Sequence, residues 1–184
     1  MIYITSDLHF CHDREFLFKS RGFNNIEDHN KTIVDNWNKV VKDSDEVFVL
    51  GDLMLNNNDV GIALVKQLKG KIHIIIGNHD TPARIALYKT LTNVLEVVYA
   101  TVLKYRGITF YLSHYPTIIG SGNLEKDLTG GWLINLFGHL HQQTNFYNDI
   151  PLMYHVGVDS HHNQVVSLDQ IIQDCKAKIA ELTK

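Results

Sequence analysis

Residues 71–80 read Lys-Ile-His-Ile-Ile-Ile-Gly-Asn-His-Asp, an apolar run that stops at a glycine followed by three polar side chains. A run of this length, rich in isoleucine and ended by glycine, predicts a buried β-strand over residues 71–76. Polar side chains that follow a strand lie on a loop, where a rigid sheet can hold them together. We therefore expect Asn78, His79 and Asp80 to belong to a functional site.

Clusters of metal-ligating residues recur along the chain in the order Asp7-Leu8-His9, Gly51-Asp52, Gly77-Asn78-His79-Asp80, Ser113-His114 and Gly138-His139-Leu140-His141. Four of the five come just after an apolar run that predicts a strand. Carboxylate and amide oxygens mixed with imidazoles suit divalent ions such as Mn, Fe or Zn, and not a thiolate-type structural site. A single cluster arises readily by chance, but five in this order predict a metal centre assembled from distant parts of the chain.

The order of predicted elements changes halfway along the chain. The first half alternates strand and helix, which favours parallel strands joined by right-handed crossovers. The second half is rich in strands, with Arg106-Gly107 as a tight hairpin turn, and residues 168–182 are expected to form a closing helix. The predicted strands are residues 2–4, 46–50, 71–76, 94–98, 101–105, 108–113, 133–137, 153–158 and 165–167, and the earlier helices are residues 26–41 and a segment from Asp59, as N-cap, to Leu68.

Length and composition are those of an ordinary globular protein. The 184 residues fit a single domain, 1–184, with 45% hydrophobic and 20% charged residues. The net charge of −3 offers no general basic surface for nucleic acid. We see no basic leader, no apolar segment of membrane-spanning length and, with two cysteines, no disulfide framework. We therefore expect a cytoplasmic protein.

The types of ligand favour hydrolysis of a phosphate ester. Two divalent ions can activate a bridging hydroxide, neutralise the phosphoryl oxygens and orient the ester for in-line attack. Asp52 is the expected bridge, because Gly51 leaves room for close approach of the backbone. Two ions, the carboxylates of Asp7 and Asp52, and one hydroxide leave a net positive charge that suits a phosphate. Proton delivery to the leaving oxygen needs an acid near the ions but not bound to them, and His79 fits, with Asp80 available to fix its tautomer.

The five clusters in this order resemble the signature of the calcineurin-like metallophosphoesterase superfamily over nearly the whole chain. The resemblance implies an α/β fold of four layers, α/β/β/α, in which a two-sheet β-sandwich is flanked by helices. It also implies two divalent metal ions, with Mn²⁺ expected first and Fe, Zn, Ni or Co as alternatives, and His79 as the catalytic acid. The implied ligands are Asp7, His9, Asp52 and His141 for the first ion, and Asp52, Asn78, His114 and His139 for the second.

Two departures narrow the class within that superfamily. Its protein phosphatases carry Gly-Asp-x-x-Asp-Arg-Gly, whereas Gly51-Asp52 is followed here by Leu-Met-Leu-Asn-Asn, so the arginine that would hold a phosphoprotein is absent from the motif. The residue before Val156-Gly157 is His155, where asparagine is usual, and we leave His155 outside the ligand set. The chain resembles instead a small, uncapped branch found in bacteria and phages.

The expected substrate is a small phosphate ester or a nucleotide. A chain this short has little sequence left for a cap, so the pocket should be open and bounded mainly by residues 10–22 and 115–131. That suits nucleotides, cyclic nucleotides or nucleic-acid ends, without a membrane partner and without indicating an oligomeric state. His12, Arg14 and Tyr115 are candidate substrate contacts, whereas His29, in a polar helix start, is expected to be solvated.

Two other functions are compatible with the same fold. One is a non-catalytic scaffold that binds protein partners, as the small retromer subunit does with a decayed metal pocket. Here each ligand position holds a competent ligand, which argues against decay. The other is a nuclease, although the larger repair exonucleases add DNA-binding segments that this chain lacks, and its net charge is −3.

Overall fold

The computed structural model describes residues 1–119 and 131–182, and this part of the chain contains two β-sheets. Its strands are β1 (Ile2–Thr5), β2 (Glu46–Leu50), β3 (Lys71–Ile75), β4 (Val94–Val98), β5 (Ala100–Tyr105), β6 (Ile108–Ser113), β7 (Leu133–Phe137), β8 (Met153–His155) and β9 (Val166–Ser167). Its helices are α1 (Glu15–Ser20), α2 (Ile26–Val40), α3 (Asn58–Val65), α4 (Pro82–Tyr88) and α5 (Leu168–Leu182), with a short 3-10 turn at Tyr147–Asp149. None of the helices in these two ranges is long and apolar enough to cross a membrane.

The first sheet has the strand order β4-β3-β2-β1-β9. Strands β1 to β4 run parallel, and β9 is antiparallel to β1. Helices α2, α3 and α4 lie in the connections between successive parallel strands, as crossovers require. The parallel pairing predicted for the first three strands is confirmed. Strand β4, which the sequence pattern groups with the second half, also belongs to this sheet because α4 carries the chain back to its edge.

The second sheet has the order β5-β6-β7-β8. Strands β5 and β6 form an antiparallel hairpin, whereas β6, β7 and β8 are parallel. Arg106 and Gly107 have φ values of 50° and 78°, the left-handed pair that a two-residue type I′ turn needs. The predicted hairpin is therefore confirmed. The strand predicted over residues 153–158 is too long, because β8 ends at His155 and Gly157 forms an isolated bridge with Ser6.

Alternate residues of the first sheet face two separate hydrophobic clusters. In β2, Val47 and Val49 pack in a cluster that includes Trp37 of α2. Phe48 and Leu50 point the other way, into a cluster shared with the second sheet and α5. Because both faces of β2 are covered, residues 47–50 of this strand form a continuous apolar run. The predicted α/β architecture, two sheets flanked by helices, is confirmed.

Three helices differ from the prediction, since α1 and α4 have no predicted counterpart and α3 has other bounds. Helix α3 begins at Asn58, and its cap is Asn57, whose side chain accepts a hydrogen bond from the backbone N–H of Val60, so Asp59 lies inside the first turn. Helix α4 has no counterpart among the predicted helices. Its start carries ordinary signals, because Thr81 caps it and a proline occupies the first turn.

Candidate metal centre

The loops that carry the metal-ligating clusters follow the ends of β1, β2, β3, β6 and β7, and hydrogen bonds join them. The backbone N–H of Asp7 donates to the carbonyl of Gly51 at 3.0 Å, and that of Gly138 donates to the carbonyl of His114 at 3.0 Å. The two sheets are linked where the N–H of His139 donates to the carboxylate of Asp7 at 2.9 Å. The loops therefore form one connected surface that brings the clusters together.

Two glycines allow the loops to approach this closely. A Cβ atom at Gly77 would lie 2.2 Å from Oδ1 of Asp52. A Cβ atom at Gly51 would lie 2.5 Å from Nδ1 of His114, and Gly51 also has a φ of +92°. A larger residue at either position would push the candidate ligands apart.

Asp7, His9 and His141 form a first group of candidate ligands, with one ligand atom of each within 4.8 Å of the others. Nε2 of His9 lies 3.7 Å from Oδ1 of Asp7, and Nε2 of His141 lies 3.8 Å from the same oxygen. Oδ1 of Asp7 and Nε2 of His9 are buried and have no hydrogen-bond partner within residues 1–119 and 131–182. Buried polar atoms without partners are rare, and a bound cation would explain both.

Asp7, Asp52 and His114 form a second group, which meets the same 4.8 Å criterion. Nε2 of His114 lies 3.5 Å from Oδ2 of Asp52, and that oxygen lies 3.7 Å from Nε2 of His9. The carboxylate of Asp52 therefore stands between the two groups. Asp7 belongs to both groups, whereas the sequence resemblance places it with one ion.

Asn78 adds an amide oxygen next to the second group. Its Oδ1 lies 2.8 Å from Nε2 of His114 and 2.9 Å from Nδ1 of His139. Nδ1 of His114 carries the ring proton, because it lies 2.8 Å from the carbonyl of Leu50, which can only accept. Nε2 of His114 then presents a lone pair toward the amide, so this ring nitrogen and the amide oxygen can both bind one cation. This donor set fits a divalent cation.

Burial disfavours the charged form of both Asp52 and His9, and it therefore shifts their pKa values in opposite directions. It raises the pKa of Asp52 to about 6 and lowers the pKa of His9 to about 3. His9 is therefore neutral at pH 7, which is the form of imidazole that binds a metal ion. A cation beside Asp52 would favour its ionised form and so oppose the effect of burial.

His79 lies at the edge of the ligand groups. Its side chain is 42% exposed, and its Nε2 lies 4.0 Å from Oδ2 of Asp52. It is in neither group of candidate ligands found in the described part of the chain. Its backbone N–H donates to Oδ1 of Asp52 at 2.9 Å, which fixes the loop of His79 against the ligands.

Asp80 has a different role from the one that the sequence suggests. Its Oδ2 accepts hydrogen bonds from the backbone N–H groups of Gly77 at 2.8 Å and Asp52 at 3.0 Å. Its Oδ1 accepts from the hydroxyl of Tyr88 at 2.8 Å. Both oxygens are thus engaged away from the imidazole of His79. The structure corrects the expectation that Asp80 fixes the tautomer of His79, because Asp80 instead ties the loops after β2 and β3 together.

A family model described as the calcineurin-like phosphoesterase superfamily domain matches residues 1–167. The chain belongs to this superfamily. Membership confirms the predicted family and fold, and it confirms the predicted class of enzyme, a metal-dependent phosphoesterase.

Other proteins resemble this phosphoesterase over most of their length. The uncharacterised protein MJ1445 of Methanocaldococcus jannaschii is 34% identical, covering 94% of this chain and 89% of the relative. The gene 66 protein of Mycobacterium phage D29 is 28% identical, covering 92% and 93%. Among solved structures, AQ665 from Aquifex aeolicus, a protein of unknown function, has a TM-score of 0.71 at 22% identity and covers 94% of this chain and 98% of its own. YfcE, a phosphoesterase from E. coli, has a TM-score of 0.50 at 13% identity, covering 85% and 77%. The two solved structures support the fold.

A buried ion pair lies behind the first group of ligands in this phosphoesterase. Arg21 donates two hydrogen bonds of 2.9 Å to Asp159, from Nε to Oδ1 and from Nη2 to Oδ2. Oδ2 of Asp159 also accepts a hydrogen bond from Nδ1 of His141 at 3.0 Å, which leaves Nε2 of that ring free to face Asp7. Burial lowers the pKa of His141, but the hydrogen bond to Asp159 and the negative charges of Asp7 and Asp159 outweigh it and leave the pKa above its usual value. No local sequence signal points to this pair.

The same arginine holds the loop that follows β1. Its guanidinium donates to the backbone carbonyls of Asp7 at 2.9 Å and Leu8 at 3.4 Å, and to Nε2 of His29 at 3.0 Å. His29 is buried, and burial lowers its pKa to about 4. The expectation that His29 is solvated is therefore wrong, because this residue is a neutral, buried acceptor for Arg21.

The predicted substrate contacts lie on two sides of the site. Nδ1 of His12 lies 3.1 Å from Nδ1 of His9, and the two rings stack with centroids 5.1 Å apart. Arg14 is exposed and lines, with His12, a pocket next to the ligands. Tyr115 is on the side of His139, and their ring centroids are 4.7 Å apart. Of the segment predicted to bound the pocket at residues 115–131, residues 120–130 lie outside the described residues.

His155, the position where asparagine is usual, is buried and packs against Phe137, with ring centroids 5.6 Å apart. Its Nδ1 lies 2.9 Å from the hydroxyl of Ser160. It belongs to neither group of candidate ligands among the described residues, and its Nε2 is buried there without a hydrogen-bond partner.

Proposed function

We propose that this phosphoesterase binds two divalent ions and hydrolyses a small phosphate ester or a nucleotide phosphodiester. The observation that carries the proposal is the position of Asp52. Its Oδ2 lies 3.7 Å from Nε2 of His9 and 3.5 Å from Nε2 of His114, and these histidines belong to different ligand groups. A carboxylate that faces two groups at once suits a pair of ions about 3.5–4 Å apart. We expect Mn²⁺ to serve, with Fe, Zn, Ni or Co as alternatives.

The proposed ligands give the centre a surplus of positive charge. When bound, the two ions would activate a water for in-line attack on phosphorus and neutralise the phosphoryl oxygens. Asp7 and Asp52 are the charged ligands, and the amide and imidazole ligands are neutral, so the site would attract a phosphate. One ion would be held by Asp7, His9, Asp52 and His141, and the other by Asp52, Asn78, His114 and His139.

His79 is the proposed general acid. Its half-exposed ring lies beside the ligand groups rather than within them, and it lines the adjoining pocket. It can therefore donate a proton to the leaving oxygen of an ester without giving up a metal contact. Asp80 supports this role indirectly, because its hydrogen bonds hold the loop from Gly77 onward in place.

Hydrolysis of bis-p-nitrophenyl phosphate with added Mn²⁺ tests the proposal. We expect activity that EDTA removes and Mn²⁺ restores, and metal analysis should find two ions per chain. His79→Ala should lower kcat about 100-fold or more while the metal content stays unchanged. His162→Ala is the matched control, because His162 is exposed and lies outside the pocket beside the ligands. Activity that survives both EDTA and His79→Ala would contradict the mechanism.

Metal content also separates an enzyme from a scaffold of the same fold. A purified chain that binds fewer than one ion and hydrolyses no ester would favour the non-catalytic scaffold with protein partners. For an active protein, a screen of monoesters, diesters, 2′,3′- and 3′,5′-cyclic nucleotides and nucleic-acid ends would identify the preferred substrate. A single domain over residues 1–184 and a cytoplasmic location stay predictions.

A further inference from the structure

A pocket of about 560 Å³ adjoins the candidate metal centre. Its inner wall carries His9, His12, His79 and His141. Binding sites for small molecules occupy roughly 300–1,000 Å³, so this pocket has room for more than the phosphate group of a substrate.

The outer wall of this pocket is formed by α1, where Phe16 has an unusual environment. The next two residues of the helix, Leu17 and Phe18, are buried, whereas Phe16 is 72% exposed. Its ring meets that of His12 edge-on, with centroids 5.9 Å apart and an interplanar angle of 89°. A large aromatic ring exposed at the mouth of a pocket offers a face on which a flat ligand can stack.

The position of Phe16 relative to the ligands suits a nucleotide. The rings of His9, His12 and Phe16 follow one another with centroid separations of 5.1 and 5.9 Å, so Phe16 is two ring spacings from a candidate ligand. A ribose would span the gap between a phosphate at the centre and a base at Phe16. Leu17 supplies an apolar contact on the same wall, and Gln143 supplies an amide for the edge of a base.

We propose that this pocket binds the base of a nucleotide whose phosphate lies at the metal centre, and that Phe16 stacks on the base. The inference rests on the proposed function, because it requires a phosphate ester at the ligand groups. Stacking on Phe16 is the same before and after the ester bond breaks. The residue therefore determines affinity for the base and leaves the chemistry at phosphorus unchanged.

Calorimetric binding of AMP and of ribose 5-phosphate to the Mn²⁺-loaded protein tests the inference, with phosphate release followed in parallel. The two ligands share the ribose and the phosphate and differ by the adenine base. We expect AMP to bind at least about 5-fold more tightly, from the usual contribution of base stacking on an aromatic side chain. Phe16→Ala should abolish that preference, and Phe16→Trp should keep it. Tyr99→Ala is the matched control, because Tyr99 is 78% exposed and lies outside this pocket.

The outcomes distinguish this inference from the proposed function. If neither ligand binds, or if binding of both is independent of Mn²⁺, the inference fails, and the proposed function fails with it only if the protein also shows no Mn²⁺-dependent hydrolysis of bis-p-nitrophenyl phosphate. If both bind with the help of Mn²⁺ but equally well, or if Phe16→Ala keeps the preference for AMP, the pocket does not hold the base. In that case the inference alone is overturned.

Discussion

Replacing Arg21 by methionine should strongly destabilise this phosphoesterase. The change removes two hydrogen bonds of 2.9 Å to Asp159, and the side chains of both residues are almost fully buried. The carboxylate of Asp159 would then be left beside Nδ1 of His141, at 3.0 Å, with no full positive charge in contact. The carbonyls of Asp7 and Leu8 would each lose a donor as well.

The size of the effect follows from the burial of both charges. Removing one partner of a buried ion pair costs about 3–5 kcal/mol, because the remaining charge is no longer compensated. The free energy of unfolding of a typical domain is about 5–15 kcal/mol, so the loss is a large part of it. Arg21→Met combined with Asp159→Leu removes both charges of this pair, and it should therefore cost less than the sum of the two single changes.

Urea unfolding of the metal-free protein measures these losses at about pH 9, which is well above the ordinary pKa of histidine. The high pH is chosen because the hydrogen bond to Asp159 and the charges of Asp7 and Asp159 raise the pKa of His141, and a protonated ring could replace the missing guanidinium charge. Lys31→Met is the matched control, since Lys31 pairs with Asp35 on an exposed face of α2 and such pairs contribute at most about 1 kcal/mol. A loss below about 1 kcal/mol for Arg21→Met, or additive losses in the double variant, would refute the reasoning.

Three further outcomes can be measured on single variants. Burial lowers the pKa of His29 from 6.5 to about 4. Between pH 6.5 and about pH 4 the unfolded metal-free chain therefore binds more protons than the folded chain, and the stability falls as the pH falls through this window. His29→Gln should remove about 3 kcal/mol of this loss, measured by urea unfolding at both ends of the window, and an unchanged pH dependence would contradict the assignment. Gly77→Ala puts a Cβ atom 2.2 Å from Oδ1 of Asp52 and should abolish Mn²⁺ binding in calorimetry. His139 has a φ of 68°, so the free energy of unfolding of His139→Gly should exceed that of His139→Ala by about 1 kcal/mol, which appears as a higher urea midpoint. Equal midpoints would argue against backbone strain there.

The strands, and the positions of the candidate ligands at their ends, could be predicted because their signals are local. A strand buried on both faces is a mainly apolar run, and β3 shows this pattern from Ile72 to Ile75, interrupted only by His73. Gly77 ends the run, and Asn78 follows at once. Each such signal lies within about ten residues of sequence, which is the range over which periodicity and turn residues are informative.

The residues that support the candidate ligands could not be predicted, because they are far from one another in the sequence. Arg21 and Asp159 are 138 residues apart, and neither belongs to a recognisable local pattern. Nothing in the neighbouring sequence distinguishes the buried Arg21 from the exposed Arg14. The environment of His29 could not be predicted for the same reason, since its polar neighbours suggest solvent whereas the structure buries it against Arg21.

The role of Asp80 could not be predicted for a different reason, which is that the predicted elements do not include helix α4. Tyr88, whose hydroxyl donates to Asp80, lies at the end of that helix, eight residues further along the chain. The pair Thr81-Pro82 is a helix start signal of the ordinary kind, with a capping threonine and a proline in the first turn. With α4 in place, the buried hydroxyl of Tyr88 requires an acceptor, and Asp80 is then within reach.

The backbone of the loops explains why so many tertiary contacts converge on this site. Left-handed φ values occur at five of the predicted ligands, Asp7 (57°), His9 (51°), Asp52 (56°), His139 (68°) and His141 (49°). Each non-glycine residue in this region costs about 1–2 kcal/mol, and such strain persists only where surrounding contacts over-determine the conformation. Arg21 supplies contacts of this kind to the carbonyls of the first loop, and Asp80 supplies them to the N–H groups of the next two. These two side chains therefore support the candidate centre without belonging to either group of candidate ligands, because they hold strained loops in the shape that brings those ligands together.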